Sequence, residues 1–129
     1  MKAALAYSNT DRQTAVMVSN SVELIILLYD KLLMRLDQVK RGFETKDISA
    51  RAEALTKSIE LIEVGLISSL DYRQGGEVAE RLKAHYDIWI AKLFQANMKA
   101  SMHPVSEVEQ EVRVLKMAWD EIVNMKSQV

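Results

Sequence analysis

Leu70-Asp71-Tyr72-Arg73-Gln74-Gly75-Gly76-Glu77-Val78-Ala79-Glu80-Arg81-Leu82-Lys83-Ala84-His85-Tyr86-Asp87-Ile88-Trp89-Ile90 decides how this chain folds. A double glycine separates two long amphipathic patterns, and the second carries Tyr86 and Trp89 on its apolar side. That reads as a tight joint between two packed helices. Upstream, Ile48, Ala52, Leu55, Ile59, Ile62, Leu66 and Leu70 recur at three- and four-residue steps, one helical face. Downstream, Ala79, Leu82, Tyr86, Trp89 and Leu93 form the next. Further out lie an earlier face of Val22, Ile25, Tyr29, Leu32, Leu36 and Val39, and a later one of Val105, Val108, Val112, Leu115, Trp119 and Ile122.

Helix-boundary signals agree with this division. Ser21 is a good N-cap, with Glu23 near the positive end of the helix dipole. Gly42 is expected to end the first helix, and Asp47 to cap the second. Pro104 suits the first turn of the fourth. Four helices of about twenty residues with short connections favour antiparallel neighbours. The expected fold is all-α: an elongated antiparallel up-down four-helix bundle over residues 21–129, preceded by a loosely held N-terminal leader over residues 1–20.

Composition supports this class. The 129 residues suffice for one buried core, and 49% hydrophobic with 27% charged content is a globular balance. Four glycines and one proline are few for a β protein. A net charge of −1 gives no electrostatic reason to bind nucleic acid, and no apolar run approaches membrane-spanning length. The polar run Ser8 to Gln13 denies the N-terminus a signal peptide's apolar region. Absence of cysteine excludes disulfides and is compatible with a reducing cytoplasm.

Catalytic patterns are missing. Neither His85 nor His103 follows a glutamate by three residues, so the di-iron bundle pattern is absent. Gly75-Gly76 lacks the lysine and spacing of a phosphate loop. Asp30, Asp37, Asp71 and Asp87 do not converge as an acid–base pair, and nothing requires Arg35, Arg51, Arg73 and Arg81 to line an anionic pocket. No catalysis and no cofactor are expected.

The helices instead carry more apolar surface than one core uses. At 100° per residue, Leu27 and Met34 point away from Ile25 and Leu36, with Leu24 and Ile26 on the flanks. Val64 points outward beside Ala50, Ala54, Leu61 and Ile67, and the third helix adds Ala84, Ile88, Ala91, Phe94 and Met98. Contiguous outer stripes mark an interaction surface, and small residues between large ones leave grooves for an amphipathic helix. The same stripes also suit a homodimer seam, as in a homo-oligomeric helical adaptor, or packing beneath the leader.

Several elements, in order, resemble the flagellin export chaperones of the FliS family. They are an early Tyr7, the run Leu24-Ile25-Ile26-Leu27-Leu28-Tyr29-Asp30, the Leu70 to Glu77 joint, His85-Tyr86-Asp87, and Ala96-Asn97. Two positions depart from the family pattern: Val22 stands where members often have proline, and His85 where they have leucine. The resemblance covers roughly Tyr7 to Ile122 and implies a cytoplasmic antiparallel bundle. Such a protein binds the disordered C-terminal region of flagellin before flagellar type III export. On that reading the flagellin-binding residues are expected to be Tyr7, Leu24, Leu27, Met34, Ala54, Leu61, Val64, Ile88, Ala91 and Phe94. Leu5, Tyr7 and Val16 to Val18 either fold back over a groove or belong to a frayed terminus. Whether the export gate or a co-chaperone binds another face is open in the sequence.

Overall fold

A computed structural model describes residues 21–127. The expected leader over residues 1–20, with Tyr7 in it, lies outside the described residues. Helix α1 spans Ser21–Glu44 and α2 spans Ile48–Glu60. The second helix continues through a widened π turn, Leu61–Leu66, and a 3-10 turn, Ile67–Ser69. Helix α3 spans Tyr72–Lys99 and α4 spans His103–Ser127. The described residues contain no strand. Helix α1 packs against α2 and α4, and α3 packs against α4 and α2. With connections of two or three residues, that ring is the antiparallel up-down bundle.

Two expected boundaries shift. Gly42 does not end α1, which runs two residues further, to Glu44. The Asp47 N–H bonds the Gly42 carbonyl at 2.9 Å, and the Lys46 N–H bonds that of Phe43 at 3.2 Å. This is a Schellman stop, with Lys46 left-handed at φ 57° where glycine is usual. Gly42 serves another purpose. A Cβ there would lie 2.8 Å from the Arg51 Cα, so glycine lets α1 and α2 approach closely. Beside it the Arg51 guanidinium stacks on the Phe43 ring at 4.7 Å. Asp47 then caps α2 as expected, its carboxylate accepting from the Ala50 N–H.

The joint between α2 and α3 also moves. Leu70 is extended, and Asp71 caps α3 by accepting from the Arg73 and Gln74 N–H groups. Gly76 lies inside α3, where φ 47° and ψ −119° kink the helix one turn from its start. The double glycine is therefore a bend within the third helix, and the turn itself comes five residues earlier.

The core is built around three rings. Tyr29 of α1 and Tyr86 of α3 share a 2.8 Å hydroxyl–hydroxyl hydrogen bond. Tyr29 meets Trp89 edge-on at 6.0 Å between centroids, and Tyr86 lies 5.1 Å from Trp89. All three are fully buried, with Leu32, Leu36, Val39, Ile62, Leu93, Val108 and Val112 around them. The burial pattern corrects the expected faces at both margins. Ile48 and Ile122 are exposed, whereas Leu24 and Leu28 are buried. Helix α1 touches two neighbours, so its buried arc is wider than a single-face reading allows.

Gly42→Ala should cost about 1–3 kcal/mol, because backbone blocks the new methyl. Lys46→Gly should gain about 0.5–1 kcal/mol by relieving a left-handed residue. Urea unfolding of both variants checks the two signs. Burial raises the pKa of Tyr29 and of Tyr86 above the ordinary tyrosine value; bonds from Tyr86 and Trp119 partly oppose this at Tyr29. The folded state thus keeps protons that the unfolded chain releases near pH 10. Their contribution is complete below pH about 10 and is lost as pH rises beyond it, by up to about 1.4 kcal/mol per unit and tyrosine. Urea midpoints at pH 8 and 11 should show a smaller alkaline loss in Tyr86→Phe.

Candidate functional site

The outer surface was the expected site, and the fold sorts its residues into three groups. Leu27, Met34 and Val64 are exposed at 41%, 59% and 40%. Ile88, Ala91 and Phe94 are exposed along α3. Leu24, Ala54 and Leu61, expected on the outside, are buried at 1%, 5% and 2%. The third group has a clear physical cause. Helix α2 packs most extensively on α1, so Ala54, Ser58, Leu61 and Gly65 turn into that seam. The sequence face from Ile48 to Leu70 captured only the other half of the buried arc. Ser58 removes its own polarity by donating to the Ala54 carbonyl at 2.8 Å.

Part of what remains outside lies along the α1–α2 seam. Leu27, Lys31 and Met34 follow one another at four and three residues on one side. Lys57, Leu61 and Val64 do the same on the other, with Glu60 beside them. Between the helices, Lys31, Arg35, Lys57, Glu60 and Leu61 line an open recess of about 190 Å³. Buried Leu61 gives it an apolar wall, and exposed Leu27, Met34 and Val64 continue the apolar surface at its margins.

A second recess, of about 340 Å³, follows the α3–α4 seam. Its side chains are tied to one another. Glu111 accepts from the Trp89 indole N–H at 3.0 Å and lies 3.3 Å from His85 Nδ1. Lys92 lies 3.7 Å from Glu111 and 3.8 Å from Glu107. His85 was expected at the edge of the core face, and it stands there, half exposed. Ile88 precedes Lys92 by one turn and so borders this seam. Phe94 lies about 120° around the helix from Ile88. Ala91 stands three residues from each, so the three α3 positions form a stripe that winds away from this seam.

Sequence reading overlooked other exposed apolar side chains: Tyr72, Val78, Met102 and Met125. Helical position alone could have found Met125, one turn beyond Glu121 on the outer side of α4. Tyr72 and Val78 depend on the Gly76 bend. Among the described residues no group of three or more His, Asp or Glu side chains is placed to hold a metal. None of the described helices is long and apolar enough to cross a membrane. The arrangement offers recesses lined largely by charged and polar side chains, with exposed apolar residues near them.

Comparison with known proteins points the same way. The profile of the family described as Flagellar protein FliS matches residues 3–126. The flagellar secretion chaperone FliS of Salmonella typhimurium is 35% identical over 117 residues, covering 91% of this chain and 87% of that one. The protein of the same name from Campylobacter jejuni is 32% identical over 124 residues, covering 96% and 95%. Flagellar secretion chaperone FliSB of Pseudomonas aeruginosa is 33% identical over 122 residues, covering 95% and 96%.

Core and surface assignments separate in mutation. Leu24→Ala and Leu61→Ala should each cost about 2–5 kcal/mol by leaving cavities. Leu27→Asp and Val64→Asp should stay within about 0.5 kcal/mol of the parent, as surface changes do. Urea midpoints for the four variants decide the division.

Proposed function

The chain belongs to the FliS family, and from that premise we propose that it is a cytoplasmic export chaperone for flagellin. It binds the disordered C-terminal region of flagellin in its outer apolar grooves. There it prevents premature polymerisation and supports secretion through the flagellar type III apparatus. The observation that carries this reading is the exposed apolar surface of Leu27, Met34 and Val64 beside the α1–α2 seam, outside a core already complete without it.

The physics needs no chemical step. A client segment that is helical and buried only after assembly leaves an apolar face open beforehand. A groove of matching character covers that face, gaining about 25 cal/mol per Å² of apolar surface removed from water. Ordering the client opposes this by about 1–2 kcal/mol per residue fixed. The balance keeps binding moderate, so the client can be released to the export machinery. Leu24, Ala54 and Leu61 serve from beneath, as packed side chains that hold the groove's shape. Leu27, Met34, Val64, Ile88, Ala91 and Phe94 are the proposed contact residues. The export gate, a co-chaperone or a second copy of the chain would compete for whichever faces the client leaves uncovered.

Titration with a peptide spanning the flagellin C-terminal region tests this. The expected result is saturable one-to-one binding, gain of helix and a negative heat-capacity change. Leu27→Asp and Val64→Asp should each weaken it about tenfold or more, the worth of one buried apolar side chain. Absence of binding at about 100 µM peptide, where even modest affinity registers, would contradict the proposal and return the outer surface to self-association.

A further inference from the structure

Among the described residues, methionine is kept out of the core. The buried hydrophobic side chains are leucine, isoleucine, valine, alanine, tyrosine and tryptophan. Met34, Met98, Met102, Met117 and Met125 are all exposed. Methionine ordinarily ranks with the residues most often fully buried, so this partition is unusual. It has a chemical consequence. A thioether takes an oxygen atom readily, and the chain has no cysteine to compete for an oxidant.

The five methionines differ in place. Met34 is the only described methionine on α1 or α2; the others lie on α3, on α4 and in the link between them. Met34 shares an exposed face of α1 with Leu27, about 10 Å away along the axis. As a flexible thioether it adapts to varied apolar partners. As a sulfoxide it presents a polar group where a client's apolar face must close, and burying that group without a partner is unfavourable. The core contains no described thioether, so its packing is untouched by the same oxidant. Binding and folding therefore respond separately.

Resting on the client-binding reading above, we propose that Met34 is a reversible oxidation site that lowers the protein's hold on its client. The oxidant class is a hydroperoxide. With hydrogen peroxide, the sulfur's electron pair forms an S–O bond as the O–O bond breaks and hydroxide departs. The hydroxyl now on sulfur gives its proton to that hydroxide, leaving sulfoxide and water. Sulfur is oxidised by two electrons and the peroxide is reduced by two. A methionine sulfoxide reductase reverses the step, two thiols becoming a disulfide as the oxygen leaves as water.

The test treats the full chain with hydrogen peroxide and removes the excess with catalase before any peptide is added. The probes are the flagellin C-terminal peptide and a synthetic leucine-striped amphipathic helix. Peptide mapping should find sulfoxide at Met34, while circular dichroism and the urea midpoint stay as in untreated protein. Flagellin-peptide binding should weaken about tenfold and return after treatment with sulfoxide reductases and dithiothreitol. Met34→Leu, whatever its starting affinity, should bind equally well before and after peroxide. Met34→Gln, polar at similar length, should bind about tenfold more weakly than the parent with no oxidant present. Full oxidation of Met34 with binding unchanged overturns the proposal. So does an equal loss in Met34→Leu, a Met34 thioether persisting while Met98 and Met117 are sulfoxides, or a fall in urea midpoint that Met34→Leu prevents. Untreated protein that binds the striped helix but not the flagellin peptide contradicts flagellin as client. In that case a Met34-dependent loss of striped-helix binding on oxidation supports the site, and no such loss overturns it. Binding of neither peptide overturns both readings.

Discussion

The buried contact between Tyr29 and Tyr86, with Trp89 against both rings, governs the rest of the structure. It spans the bundle from α1 to α3 and joins two hydroxyls that would each cost about 1–3 kcal/mol if buried alone. A hydrogen bond between ring tips has a narrow geometry, so it sets the rotation of both helices about their axes. Trp89 carries the constraint on to α4 through the Glu111 carboxylate. Once these rotations are set, Leu27 and Met34 must lie outside α1, and Ile88 must lie beside the α4 seam. The apolar surface available to a partner is thus a consequence of polar bonds inside the core.

The second constraint acts where α1 meets α2. Gly42 removes the one Cβ that would strike Arg51, while Ala54, Ser58 and Gly65 keep the α2 side of the seam narrow. Close approach draws Leu24 and Leu61 inward and leaves the margins of the seam to Leu27, Met34 and Val64. The same narrowness holds Lys31, Arg35 and Lys57 about one shallow recess. A groove of this kind is made by two rigid helices, so its shape before binding needs little rearrangement, which lowers the ordering cost on one side of the complex.

Much of this was legible in the sequence. The four apolar periodicities apart from exposed Ile48 and Ile122, the Asp47 cap, Pro104 in the first turn of α4 and the pairing of Tyr86 with Trp89 on one face appear as read. The misplacements have a common origin. A helical wheel treats one helix with one core direction, but α1 and α2 each bury two directions, so Leu24, Ala54 and Leu61 appeared outside. Gly75-Gly76 looked like the turn because glycine marks both turns and kinks; only the Asp71 cap shows where α3 begins. The Trp89–Glu111 bond crosses two helices at a separation of 22 residues, and no local pattern announces it. The family resemblance reached the chaperone class without resolving any of these details.

Methyl NMR of protein labelled at leucine, valine and methionine, with and without the flagellin C-terminal region, tests the central claim most directly. The account predicts large shifts at Leu27, Met34 and Val64, with the methyls of Leu32, Leu36 and Val108 nearly still. Saturable binding that leaves Leu27, Met34 and Val64 unmoved would contradict it, because the client would then rest on another face of the bundle.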